Sequence, residues 1–201
     1  MTKTIQIGID LGTTNSELAI VDEKGEIIIV NNTFGDRFTP SVFGISKAGA
    51  EVVGKKAYEK AFQFATEEEI ANNKAEIKRL MGTDKKTHFL RNNKEYLPEE
   101  ISSKILLSLK ADALRVRENI NTNGVVITIP AHFNTPQCEA TKRAGELAGF
   151  NYVLLLQEPI AAAISYGFGS SKDENYLVYD FGGGTFDAAL ISSKDQNLSV
   201  L

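Results

Sequence analysis

Apolar and polar positions follow two regimes along this chain. Up to residue 53 the apolar residues alternate or run in short β-branched blocks. That predicts strands over residues 4–10, 17–21 and 27–30, a meander turned around Gly12 and at Lys24-Gly25. A polar loop is expected over 31–41, marked by Gly35, Asp36 and Pro40. Another hairpin follows over 42–45 and 51–53, joined through Lys47-Ala48-Gly49. Helical spacing then takes over, with helices predicted over 54–65 and 70–80. The clearest helix begins at Pro98, where the missing N–H costs nothing in a first turn. Ile101, Ile105, Leu109, Ala113, Val116 and Ile120 then recur as one apolar stripe. From Gly124 strands predicted over 125–129, 152–156, 176–180 and 186–192 are interleaved with helices over 136–148 and 160–166. Such alternation predicts an α/β layer with partly parallel pairing, and residues 169–173 are the best linker candidate.

An internal repeat sharpens this outline. With Asp10 placed over Asp180, Ile7 meets Leu177, Ile9 meets Tyr179, Gly12 meets Gly182, Glu17 meets Asp187 and Ile20 meets Leu190. Each copy reads as an apolar strand, a terminal aspartate, a tight turn of Gly and Thr, and a return strand opened by an acid. Small residues let the backbone come close to a ligand, and successive N–H groups in a tight turn make a concave anion site. A carboxylate beside phosphate is repulsive unless a divalent cation lies between them. Mg²⁺ suits that place, because it keeps most of its water and takes few protein carboxylates. Two such hairpins facing each other would grip a polyphosphate. One alone is as readily an ordinary Asp-x-Gly turn; the matched pair is the signal.

Composition adds exclusions. The 201 residues are 42% hydrophobic and 24% charged, ordinary for a globular protein and long enough for one large domain or two small ones. A net charge of −4 argues against nucleic-acid binding. One cysteine, Cys138, excludes an internal disulfide framework, and two distant histidines, His88 and His132, give no zinc spacing and read as structural or surface residues. With no bilayer-length apolar run and no signal or transit pattern, a cytoplasmic protein without membrane contact is expected. Gly49 to Lys55 imitates the start of a Walker A motif. Lys56 stands where Ser or Thr must ligate the metal, so that reading fails.

At this level the segments resemble the seventy-kilodalton heat-shock (Hsp70, DnaK-type) chaperone family. Residues 9–16 resemble its first phosphate motif, and Asp180-Phe181-Gly182-Gly183-Gly184-Thr185-Phe186-Asp187 its second. Between them, in family order, come Gly35-Asp36-Arg37 with Thr39-Pro40-Ser41, and then Ile77 to Gly82. Ile129-Pro130-Ala131 with Phe133-Asn134, Ala140-Thr141-Lys142 and Glu158-Pro159 with Ala161 to Ala163 follow. The resemblance covers essentially the whole chain. It implies an α/β, actin-like ATPase (ribonuclease H-like) fold. Lobe I would span 1–171 with an inserted subdomain near 38–116, and lobe II would begin over 172–201.

It also implies ATP or ADP with Mg²⁺, and K⁺ as a further candidate ion. Carried over, Asp10, Asp180 and Asp187 fall at the metal. Gly12, Thr13, Thr14, Asn15, Gly182, Gly183, Gly184 and Thr185 fall on phosphate, and Lys78, Glu158, Asp180 and Thr185 on the hydrolysis itself. Phosphoryl transfer asks for positioning and charge neutralisation more than covalent chemistry, so this set suffices. From residues alone, Lys78 reads as a solvated cation near a helix end and Glu158 as a helix N-terminal acid. Implied partners are unfolded polypeptides, a J-domain protein and a nucleotide-exchange factor.

Several features depart from the family pattern. The chain is expected to be a truncated or excised piece, without the rest of lobe II and inactive by itself. The 83–98 segment is shorter than in typical bacterial members. Cys138 and Leu154 stand where arginines commonly couple the ATPase domain to its linker and to the J-domain protein. Three alternatives stay open: an actin-like filament-forming ATPase, a non-hydrolysing scaffold of the same fold, and a sugar kinase, for which no sugar loop is recognisable.

Overall fold

In the computed structural model the described residues are 5–167, 173–182, 186–194 and 197–201. In chain order the first strands are β1 (Ile7–Leu11), β2 (Asn15–Val21), β3 (Ile27–Ile29), β4 (Phe38–Pro40), β5 (Phe43–Ile45) and β6 (Glu51–Val53). Then come α1 (Lys55–Tyr58), continued by a π-helical turn Glu59–Gln63, α2 (Glu67–Asn72), β7 (Asn73–Lys74), a 3₁₀ turn Ile77–Leu80, β8 (Thr87–Phe89) and β9 (Lys94–Tyr96). The second half holds α3 (Pro98–Val116), β10 (Gly124–Ile129), α4 (Thr135–Leu147), β11 (Tyr152–Gln157), α5 (Glu158–Ser165), β12 (Glu174–Phe181), β13 (Phe186–Lys194) and β14 (Asn197–Val200). The predicted linker, 169–173, lies outside the described residues except for Asp173.

The main sheet runs β11-β10-β1-β2-β3, with β4 also on β2; β1, β10 and β11 are parallel neighbours. Alternation along β1 and β2 buries Ile7, Ile9, Leu11, Leu18 and Ile20. They meet Ile105, Leu106, Leu109 and Ala113 of α3 and Ala140 and Ala144 of α4 in one core. Each such aliphatic side chain contributes about 1.5–3 kcal/mol on burial, so this face clamps the end of β1 in place. Gly145 lets α4 lie close on the sheet: a Cβ there would stand 2.7 Å from Val153.

A smaller sheet, β6-β5-β7, and the β8–β9 hairpin gather around Phe43, Phe89 and Tyr96. These rings meet edge-on at 5.3–5.5 Å. Arg91 at the hairpin tip closes it, with bonds to Glu68, Glu69 and the Ile45 carbonyl, and the bond from Arg91 to Glu69 holds the Glu69 carboxyl below its ordinary range. The third sheet, β12-β13-β14, packs Tyr176, Val178 and Ile191 onto Ile160 and Ala163 of α5.

Three expectations are corrected. The helix predicted over 70–80 is absent. Thr66 caps α2 by accepting from the Glu69 N–H, so the helix starts earlier. The Asn72 and Asn73 side chains then donate to the Glu68 and Glu69 carbonyls and end it. Left-handed Glu76, φ 57, separates what remains into the 3₁₀ turn. The polar loop at 31–41 contains β4. The α3 stripe stops early: Arg117 is extended, leaving Val116 exposed, and Ile120 reaches the core from the following loop.

Candidate active site

The two acid-tipped hairpins pair identically. Asp10 faces Glu17 and Leu11 faces Ser16; Asp180 faces Asp187 and Phe181 faces Phe186, and every pair from Ile7↔Ile20 onward has its counterpart 170 residues later. Burial is not repeated: Ile9 is 1% exposed under α3, whereas Tyr179 is 59% exposed. The repeated feature is therefore the strand end and its turn, which is where chemistry was predicted.

Both strand ends open onto one cleft of about 490 Å³. The first hairpin supplies Asp10, Gly12, Thr13, Thr14, Asn15 and Glu17, and the 3₁₀ turn supplies Lys78 and Arg79. The segment after β10 brings Pro130, His132 and Phe133; Gln137 and Glu158 come from the starts of α4 and α5. The second hairpin contributes Asp180, Phe181, Gly182 and Asp187. Gly183, Gly184 and Thr185 lie outside the described residues. Every other predicted site residue is in this cleft.

Local structure explains the placement. A Cβ on Gly12 would collide with the Asn15 carbonyl oxygen, so the turn closes only around glycine. Ser41 pins that turn from outside, its N–H donating to the Thr14 carbonyl at 2.8 Å and its hydroxyl bonded to Ser16 at 2.9 Å. Pairing of β10 with β1 sets Thr128 beside Asp10, and its hydroxyl donates to Asp10 Oδ1 at 2.6 Å. Asn134 caps α4 in a reciprocal box with Gln137, which fixes Phe133 just ahead of the helix. Pro159 in the first turn of α5 fixes the start of that helix, at Glu158.

Lys78 and Glu158, 80 residues apart, form an ion pair at 2.7 Å with side chains only 10% and 17% exposed. Neither is the solvated residue that its local sequence suggests. The Lys78 ammonium also lies 5.8 Å from the centre of the Phe133 ring. Burial pushes the Glu158 carboxyl above its ordinary value of 4.5; Lys78 pulls it back, and the Asp10 and Asp180 charges push it up again. A carboxyl held high stabilises the fold fully below about pH 4.5, and that contribution is lost as pH rises through the folded value. Compared with Glu158→Gln, the wild type should therefore lose thermal stability as pH climbs from about 4 to 7. Parallel unfolding midpoints for the two proteins across that range would contradict it.

Thr128 and His132 escaped the sequence reading. His132 stands with Nδ1 3.5 Å from Asp187 Oδ1, linking the segment after β10 to the second hairpin. For Thr128 the needed signal was strand register, which sequence does not display. His132 lies beside the Pro130-Ala131 motif and could have been suspected from that.

Five carboxylates and two basic side chains line the cleft, with Lys78 committed to Glu158 and Arg79 within 3.4 Å of Glu76. A polyphosphate alone would be repelled; a divalent cation resolves the conflict. Among the described residues no group of three or more His, Cys, Asp or Glu gathers into a direct metal cage. Carboxylates approaching from two hairpins suit an ion held through its own water shell.

A mixed sheet with two register-matched, acid-tipped hairpins around one cleft is the architecture of the actin-like ATPases. Within that class, the family model described as Hsp70 protein matches residues 6–201, and the chain belongs to the Hsp70 family. Proteins of this family are chaperones that generally bind ATP or ADP with Mg²⁺ and hydrolyse ATP.

Proposed function

We propose that this chain is the ATP-binding and ATP-hydrolysing part of an Hsp70-type chaperone, in which hydrolysis is coupled to the holding of unfolded polypeptide. The observation that carries the reading is the buried Lys78–Glu158 pair in the same cleft as Asp10 and Asp180. Residues 1–171 form lobe I, with 38–116 inserted, and 172–201 open lobe II; α5, near the end of lobe I, packs against β12–β14.

Asp10 and Asp180, with Asp187 beside them, would hold Mg²⁺ through its water shell, and the ion would supply neutralisation of phosphate charge. The turn at Gly12 to Asn15 offers backbone N–H groups and the Thr13 and Thr14 hydroxyls to the β- and γ-phosphates. Lys78 turns its ammonium toward a γ-phosphate oxygen. Glu158 accepts a hydrogen bond from the attacking water and orients it in line with the bond to the leaving oxygen. Water adds to the γ-phosphorus as the bond to ADP breaks, and the water's proton passes to the phosphate product. Gly182, Gly183, Gly184 and Thr185 are assigned to the phosphates by their match to the family's second motif.

Clients are unfolded polypeptides. A J-domain protein and an exchange factor are further partners of the ordinary kind, although exposed Leu154 on β11 and half-buried Cys138 supply no guanidinium for such coupling. A filament-forming ATPase shares the two hairpins, and polymerisation separates the readings. The complete gene product should hydrolyse ATP with Mg²⁺ and stay in the supernatant on high-speed centrifugation. Pelleting that depends on ATP would favour the filament instead.

A further inference from the structure

We infer that Gly82 is a positioning residue for Lys78, acting through a backbone-to-backbone contact with the first turn of α4; this rests on the ATPase reading above. The Lys78 turn is unusual in being bounded by two left-handed residues, Glu76 at φ 57 and Gly82 at φ 77. Its two ends are rooted in different cores. Ile77 is buried with Phe43, Phe89 and Ile101 of the inserted region, while Met81 is buried in the main core. Lys78 therefore sits on a strap between two bodies, and where it points depends on how closely the strap approaches the main sheet layer.

Gly82 sets that approach. A Cβ there would stand 2.7 Å from the Gln137 nitrogen, 2.8 Å from the Pro136 carbonyl carbon and 3.0 Å from the Gln137 Cα, where ordinary contact begins at 3.4 Å. All three atoms are backbone, in a turn held by the Asn134–Gln137 box and Pro136, so no side chain can swing away. The same turn of α4 follows Phe133, whose ring lies beside the Lys78 ammonium, and Gln137 itself lines the cleft. Any side chain at 82 must therefore push the strap off α4 by roughly half an ångström. Lys78 would be carried away from the γ-phosphate position while the phosphate turn at Gly12 and the carboxylates of both hairpins stay where they are. A 1 Å misplacement from a distant change can cost about a hundredfold in rate, so roughly tenfold is expected here.

Gly49 supplies the control. It has nearly the same backbone, φ 78, with nothing within 4 Å of a Cβ, so Gly49→Ala carries the left-handed strain without the contact. The experiment compares steady-state ATP hydrolysis by the complete gene product as wild type, Lys78→Ala, Gly82→Ala and Gly49→Ala, alongside Mg-ATP affinity and unfolding midpoints. Gly82→Ala should lower kcat about tenfold with KM and nucleotide Kd within about twofold of wild type. Gly49→Ala should lose stability alone. Equal kcat in Gly82→Ala and Gly49→Ala overturns the inference, as does a Gly82→Ala defect confined to KM. Loss of activity in Lys78→Ala beside an unaffected Gly82→Ala would leave the ATPase reading standing and sink only this one; wild-type activity in Lys78→Ala would remove Lys78 from the reaction and overturn this inference with it, and only an inactive wild type would sink the ATPase reading itself. Should Gly82→Ala fail to fold, Gly82→Asn keeps the Cβ and tolerates the left-handed backbone better, and it carries the same expectation.

Discussion

Replacing Asp10 with Asn should abolish most ATP turnover, lowering kcat by about a hundredfold to a thousandfold, while leaving the unfolding midpoint almost unchanged. The asymmetry follows from what Asp10 touches. Its side chain is exposed to the cleft, and its only described bond is the one accepted from Thr128, which the asparagine carbonyl oxygen can accept equally well. The fold loses no contact. Function loses one of the carboxylates whose excess in the cleft a cation is needed to offset. Raising Mg²⁺ should restore part of the activity by mass action, and a hydrolysis assay over a range of Mg²⁺ concentrations checks this. An unaltered rate at limiting Mg²⁺ would remove Asp10 from the metal. A collapsed midpoint would make it a structural residue.

Lys78→Ala should be as damaging to turnover and, unlike Asp10→Asn, should also destabilise the protein. Losing one preorganised charge at a developing phosphate charge costs about 10² to 10³ in rate. Truncation also strands Glu158, which is mostly buried and whose carboxyl is drawn down by Lys78. Breaking one partner of a fully buried pair costs about 3–5 kcal/mol; with both groups still partly in contact with solvent, about 1–3 kcal/mol is expected. The Glu158 carboxyl should rise further, so the added instability should grow as pH rises above the ordinary carboxyl value of 4.5. The double variant Lys78→Ala/Glu158→Gln separates the two effects. It should recover most of the stability, having no orphaned charge, and none of the activity. Recovery of turnover would show that the pair is a structural bridge.

How legible this site was depended on the kind of signal each residue carried. Asp10 and Asp180 could be found from the sequence because the same short pattern occurs twice, and pairing of the two hairpins in the same register is what that pattern encodes. Lys78 and Glu158 carry no local mark. Each looks like a surface charge at a helix end, and only the long-range approach of the 3₁₀ turn to the start of α5, across 80 residues of sequence, brings them together. Thr128 was hidden for a similar reason, since a neighbour across a parallel pair is set by register and not by spacing.

Fold errors trace to local polar chemistry outcompeting periodicity. The 70–80 helix had apolar spacing in its favour, yet Asn72 and Asn73 cap their own helix and Glu76 turns left-handed, so the stretch breaks where two asparagines adjoin. β4, β8 and β9 are three-residue strands with no apolar run to mark them, and the β8–β9 hairpin is held by Arg91 reaching three partners elsewhere. The large core strands and α3 were visible because their apolar faces are long enough to repeat.

The central claim, one cation-bound polyphosphate shared by two hairpins, is tested most directly by calorimetric titration of ATP with and without Mg²⁺ into the wild type, Asp10→Asn, Asp180→Asn and the double variant. The prediction is that tight binding requires Mg²⁺, that either substitution removes most of the Mg²⁺-dependent part, and that the second adds little to the first. Equal affinity in the presence of a chelator, or two losses that simply add, would mean that the hairpins do not share an ion.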